Sequence, residues 1–461
     1  MCLAKQVVLA VAAAFGAATE IQASHGVPSE PILTRVLFQD DDTRTLKWAD
    51  LRAGEPPTLG PVQPVEGFPK LDSERQTLVQ MEAAQGYVLV GVRDDDSGNF
   101  QSGWVLIDTG VVEEEHGDHS HWTYPRPPQV RASVLDDKQG NPAHLYCYDN
   151  VFYLANDQLD GYTRIDPAGV KSTDDVAAIR RKASFFQGGG RHITLAVVGG
   201  TVGYSTWIDR EGPQSGRVDV TALNAIGNRQ IAFSLTLPHG GLHGATACQG
   251  KVFFAPADGL CWLQSPNVLP VDPKSIAVRH LSLGKDDEKA RRTGGFTTFG
   301  RHVAFTMGAG KTAALGLIDA AKPEPEVTRL VLPMADANRP AGLEIAQPRK
   351  GSPLAFVFHD HPLEVEAPNR LSLVELDPNS DGNWSDAKVA QELDVGKSRV
   401  EGHGGHHSIA FDANRRRAIF SNPGSGTLAA LVLQDRKQVA EWKVGGAPSK
   451  VVLVGGRESK D

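Results

Sequence analysis

The sequence predicts an all-β fold, a single β-propeller of eight blades with seven as the alternative, and three observations predict it. Short runs rich in Val, Ile, Leu, Phe and Tyr, separated by Gly, Asp and Asn turns, fill the chain from about Thr77 to Gly455. They recur in blocks of roughly fifty residues, the self-similarity of a repeat array. Several third runs end in an apolar residue plus Asp: Ile107-Asp108, Ile165-Asp166, Ile318-Asp319 and Leu376-Asp377. Long amphipathic helices are scarce, and Asp174 to Ala183 is one short helical pattern.

The elements follow in chain order. Lys5, an apolar stretch from Val7 to Ala18 and the small-residue site Ile21-Gln22-Ala23 have the layout of a secretory signal. The stretch is too short to span a bilayer as a helix. Residues 1–23 are thus expected to be removed, Cys2 with them, leaving a mature chain that starts near Ser24. Residues 24–76 supply the runs Arg35 to Phe38 and Thr43 to Trp48, then a Pro- and Gly-rich surface loop or linker from Ala53 to Lys70. Residues 77–455 form the propeller, with a His-rich insertion at 111–125, and residues 456–461 are a polar tail. First strands are expected to begin near Thr77, His144, His192, His243, Gly295, Ser352, His406 and Lys450.

The clearest repeat is the last. Strands at Ser408 to Phe411, Ala418 to Ser421, Thr427 to Leu433 and Val439 to Val444 are joined by Asn422-Pro-Gly-Ser-Gly-Thr427 and followed by Val444-Gly-Gly-Ala-Pro448. This stretch resembles the YVTN-type propeller repeat, which speaks to fold rather than function. A further strand, Val451 to Val454, is expected to share one blade with the N-terminal runs and close the ring, which removes exposed sheet edges.

The formal net charge of −8 argues against nucleic acid as a partner. No segment beyond the signal is long and apolar enough to enter a membrane. In an oxidising compartment Cys248 and Cys261 bracket about one hairpin and are a candidate pair. The expectation is an exported monomer in a bacterial periplasm.

Two histidine patterns point to a metal. The run Glu113-Glu-Glu-His116-Gly-Asp118-His119-Ser-His121 gathers imidazoles and carboxylates, the ligands that suit zinc and its neighbours. An inserted loop in a packed ring is more often functional than structural. The second pattern is carried by the repeat. His144, His192, His243 and His407 stand at the starts of first strands, which line a propeller's channel. Imidazoles from separate blades would therefore converge at one mouth. His239-Gly-Gly-Leu-His243 also matches His403-Gly-Gly-His406-His407, so His239 and His403 join the set. First choices for the buried site are His144, His243 and His407, with His192, His239 and His403 next. His359-Asp360-His361 is expected to be a solvated turn, and His25, His280 and His302 ordinary residues.

Taken together, the export signal, Glu115-His-Gly-Asp-His-Ser-His121 and the channel histidines resemble the periplasmic AztD-type zinc metallochaperones. The resemblance implies an exported propeller that binds Zn2+ and passes it to the solute-binding protein of a zinc ABC transporter. It also implies a buried histidine site and a mobile His/Asp-rich loop, here His116, Asp118, His119 and His121, that assists capture or transfer. It does not imply an enzyme. The competing readings are a secreted hydrolase or lactonase using a metal-bound water and a metal-free docking ring. Against the former, the sequence has no G-x-S-x-G nucleophile element. Zinc, copper, nickel and cobalt stay open, except that the lack of Met and Cys near the histidines disfavours Cu(I).

Overall fold

The computed structural model describes residues 30–94, 101–117, 119–224, 230–267, 269 and 271–457. The expected signal segment, most of the C-terminal tail and Asp118 lie outside them. Eight antiparallel sheets succeed one another along the chain. The first blade is Gln76–Ala84, Tyr87–Asp94, Ser102–Asp108 and Gln129–Asp136. The next six begin with Pro142–Tyr148, Leu195–Val198, Ala245–Cys248, Thr297–Phe299, Arg339–Ala346 and Ile409–Phe411. Pro448–Val454 opens the eighth and pairs antiparallel with Ile32–Asp40, Leu37 opposite Val452. Ile32–Asp40 pairs in turn with Thr45–Arg52, so the two ends of the chain share the closing blade. Pro448–Val454 also lies against the first strands of both flanking blades, Gln76–Ala84 and Ile409–Phe411.

Each blade is apolar on both faces because each is packed between two others. One core cluster joins Val218, Val220 and Leu235 of the third blade to Val252, Phe254 and Leu263 of the fourth. The Asp residues that end third strands are turn formers. Asp108, Asp166 and Asp319 each accept the backbone N–H two residues on, at 2.8, 3.1 and 3.0 Å. The short helical pattern appears as Val176–Lys182, where the Asp175 carboxylate caps the N–H of Ala178.

Three expectations need correction. The sixth blade begins at Arg339, and the run after Ser352 is its second strand, Leu354–Asp360. Pro340, Gly342 and a bulge between Ala341 and Glu344 break the apolar pattern of the true first strand. The stretch from Ala53 to Lys70 is not a free linker: Thr58–Leu59 and Gln63–Pro64 pair with Thr45–Arg52 at the outer edge of the closing blade. Cys248 and Cys261 are both free. They lie on the first and third strands of one blade with Lys251–Phe254 between them, about twice the 4.8 Å strand spacing and beyond disulfide reach.

Strand direction divides the blade ends between two mouths. First-strand starts, second-to-third turns and fourth-strand ends open at one mouth, called upper here. First-to-second and third-to-fourth turns open at the lower mouth.

Candidate metal centre

His144, His192 and His243 come from three successive blades and meet at the upper mouth. Nε2 of His192 lies 2.9 Å from Nε2 of His144 and 3.2 Å from Nε2 of His243. His144 sits inside its first strand, whereas His192 and His243 sit on the loops just before Leu195–Val198 and Ala245–Cys248. Successive first strands ring the axis, so residues near their starts face one another across it.

The outer ring nitrogens of His192 and His243 are held from behind. Nδ1 of His192 faces Oδ2 of Asp157 at 3.5 Å, and Nδ1 of His243 lies 3.3 Å from the Gly294 carbonyl oxygen, to which it donates. Asp157, 3 % exposed, also accepts the N–H of Ile193 at 3.0 Å and faces Arg93 at 3.4 Å. With protons on Nδ1, Nε2 of His192 and Nε2 of His243 present lone pairs to each other. Lone pairs this close repel unless a proton or cation lies between them. Ligand nitrogens about 2.05 Å from a tetrahedral zinc stand roughly 3.3 Å apart, close to the separations found. The donor set and its carboxylate and carbonyl support therefore fit a borderline divalent cation.

Protonation also favours binding. Burial, then the neighbouring imidazoles of His192, His243 and His403, hold His144 well below the usual histidine range. Burial and His192 lower His243, and burial, His192 and His406 lower His403. These rings are neutral near pH 7, the form that ligates metal.

Other predicted residues are placed differently. His403 leans over the trio, its ring 6.1 Å from that of His192 and 6.2 Å from that of His243, both stacked. His407 does not join it. This ring is fully buried, stacked on Phe358, with Nδ1 2.6 Å from Asp360 Oδ1 and Nε2 3.0 Å from the Gly396 carbonyl. His239 turns toward Asp258 instead. His359-Asp360-His361 is buried rather than solvated, because Leu354–Asp360 is a core strand. Burial raises the Asp360 carboxyl, but His407 and the hydrogen bonds from His406 and His407 outweigh it and leave it well below the usual carboxylate range.

The His-rich insertion is a hairpin, Val112–Glu115 paired with Ser120–Thr123. His116, His119 and His121 are exposed at its end, with ring centroids 4.9–5.6 Å apart. The insertion joins the third and fourth strands of its blade, so its base is at the lower mouth. Buried Arg35 fixes that base by donating to the carbonyls of Thr109 and Arg126 at 2.7 and 2.5 Å, and Tyr124 donates to the Leu33 carbonyl at 3.2 Å. A first strand of seven residues such as Pro142–Tyr148 spans about 23 Å. The hairpin base and the trio are thus at opposite ends of the channel.

Sequence reading missed Asp157, and it missed Asp258 and His280 beside His239, where Asp258 faces Nδ1 of His239 at 3.0 Å and Nε2 of His280 at 3.5 Å. Both aspartates occupy second-to-third turns, Asn156-Asp157 and Ala257-Asp258. The second-to-third turns, aligned across blades like the first strands, carry the signal for both aspartates.

No protein-family model matches this chain, and no curated protein is similar to it. Solved structures do match. The structure of AztD from Citrobacter koseri aligns with a TM-score of 0.61 at 15 % identity, covering 94 % of this chain and all of that one. Its apo form aligns with a TM-score of 0.60 at 14 % identity over 93 % of this chain and all of that one. The dihydro-heme d1 dehydrogenase NirN aligns with a TM-score of 0.53 at 12 % identity over 92 % of this chain and 76 % of that one. At these identities the likeness is one of fold.

Proposed function

We propose that this chain is an exported, monomeric zinc carrier that holds the ion at His144, His192 and His243 and delivers it to the solute-binding protein of a zinc ABC transporter. The observation that carries the reading is the convergence of three Nε2 atoms, with the outer nitrogen of His192 facing Asp157 and that of His243 donating to the Gly294 carbonyl. His403 stands beside the trio as a further imidazole for ligand exchange. Stepwise exchange lets an ion pass to a partner without release to water. The fold likeness to AztD and the N-terminal signal pattern support the same reading. Among the described residues, no helix is long and apolar enough to cross a membrane.

In this reading the hairpin His116, His119 and His121, with Asp118, collects cations at the lower mouth, and delivery occurs at the upper one. A hydrolase needs a carboxylate free to act on a metal-bound water. Asp157 is already engaged by His192, the Ile193 amide and Arg93, which favours the carrier.

The test is transfer. Zinc-loaded protein is mixed with a metal-free zinc solute-binding protein in the presence of excess small chelator. Delivery that bypasses the chelator is expected, and deleting residues 113–121 should slow loading while leaving zinc retention intact. Complete interception of the ion by the chelator would overturn the carrier reading.

A further inference from the structure

Two arginines flank the loop that carries His243. Arg210 is in the second-to-third turn of the third blade, between Val202–Thr206 and Arg217–Ala222. Arg292 is on the connection into the fifth blade, just before Thr297–Phe299. Both places open at the upper mouth, on either side of His239-Gly-Gly-Leu-His243. Gly241 of that loop donates its N–H to the Asp209 carbonyl at 3.0 Å. It has φ +70°, and a Cβ there would stand 3.2 Å from Cγ of Arg210 and 3.6 Å from its Nε. Glycine at this position lets the Arg210 side chain lie across the loop. On the other side Nδ1 of His243 donates to the Gly294 carbonyl, two residues from Arg292. Thr293 between them is buried, and its hydroxyl donates to the Gly295 carbonyl at 3.0 Å, which fixes the turn.

Neighbouring charges are paired, and these two are not. Asp209 is taken by Arg191 at 2.9 Å, and Asp286 accepts Nε–H of Arg291 at 2.6 Å. Among the described residues, neither guanidinium, Arg210 nor Arg292, has a hydrogen-bond or ion-pair partner. Burial, then the like charge of Arg210, pull Arg292 below the usual arginine range. Two like charges held together and partly out of water cost free energy until an anion joins them. Burial and His192 dominate the lowering of His243, and Arg292 adds to it, so this positive field reaches the trio. A guanidinium is a planar fork that matches the two oxygens of a carboxylate.

We propose that Arg210 and Arg292 form a carboxylate-binding site on the upper mouth, beside His243. Two sources share this chemistry: a small free carboxylate and an acidic side chain of a receiving protein. The site stands whether or not the trio holds an ion, and only its use in delivery rests on the carrier reading. In that use a carboxylate here offsets the charge of a cation held by neutral imidazoles.

Calorimetric titration of the metal-free full chain at low salt tests this, with citrate and a hexaglutamate peptide as the two probes. Citrate is expected to bind, R210Q and R292Q each to weaken it at least fivefold, and the double variant to abolish it. Arg210 is exposed, so R210Q puts the question even if R292Q disturbs the fold. K311Q removes a charge from the same mouth, where Lys311 is already paired with Asp336 at 3.2 Å, and should leave citrate affinity within twofold. Hexaglutamate binding with the same dependence on the two arginines assigns the site to a protein's acidic side chain; citrate binding alone assigns it to a free anion. No citrate binding, an unchanged affinity in the double variant, or a loss in K311Q as large as in R210Q overturns the site. The titration is read with no ion at the trio, so failure of the carrier reading leaves its result standing.

Discussion

His239-Gly-Gly-Leu-His243 and His403-Gly-Gly-His406-His407 are near-identical segments in equivalent places, yet they use their histidines in opposite ways. In the fourth blade the last histidine, His243, enters the channel trio and the first turns outward to Asp258. In the seventh blade the first histidine, His403, leans over the trio and the last, His407, is locked against Asp360. The surroundings decide. The sixth blade ends its second strand in Asp360, which captures His406 and His407 from the neighbouring loop. The third blade's second strand, Val202–Thr206, places no such carboxylate at its end, and His243 is left to donate to the Gly294 carbonyl. A motif thus fixes where the imidazoles start, and the adjacent blade fixes what they do.

Substitutions on the two sides of this comparison should have different consequences. The largest effect is expected from H192A, because His192 contacts both other members of the trio. Loss of one ligand should exceed the 10–100-fold cost of losing a supporting residue, and a drop in zinc affinity of about 1,000-fold, about 4 kcal/mol, is expected with little change in metal-free stability. Competition titration against a chelator reads the first, and thermal melting without zinc reads the second. H407A should do the reverse. Removing one partner of a buried pair typically costs about 3 kcal/mol or more, so denaturant unfolding should register a clear loss while zinc stoichiometry is kept.

The pH dependence of stability sharpens the same contrast. Burial, followed by Arg370, holds His359 down to about 4 from the ordinary value of 6.5. It is neutral in the fold, whereas the unfolded chain takes up its proton below 6.5. The stability tied to this group is therefore present above pH 6.5 and lost as pH falls toward 4, up to roughly 3 kcal/mol. H359Q should flatten that part of the profile of the metal-free protein, as read by unfolding at a series of pH values. The smallest effect is expected from D157N, which keeps the size of the group behind His192 but removes its charge. A 10–100-fold loss of zinc affinity is expected, with the number of bound ions unchanged.

Much of this was legible in the sequence. The eight blades, the shared closing blade and the histidines near first-strand starts followed from periodicity, because the repeat sets which residues face the axis. Asp360 was visible only as part of a His-Asp-His turn, and its burial depends on a strand whose own start was masked by Pro340 and Gly342. His280 and Asp258 are far apart in sequence and meet only through the antiparallel register of one blade. The hairpin at His116 to His121 read as an accessory to the channel site. Third-to-fourth turns open at the lower mouth, and that placement separates the two.

The central claim is that the ion sits among His144, His192 and His243 rather than on the hairpin. The most direct measurement is the zinc anomalous signal from crystals of the protein loaded with one equivalent of zinc. The account predicts a single strong peak between the three Nε2 atoms at the upper mouth. A peak at His116, His119 and His121, with none in the channel, would contradict it.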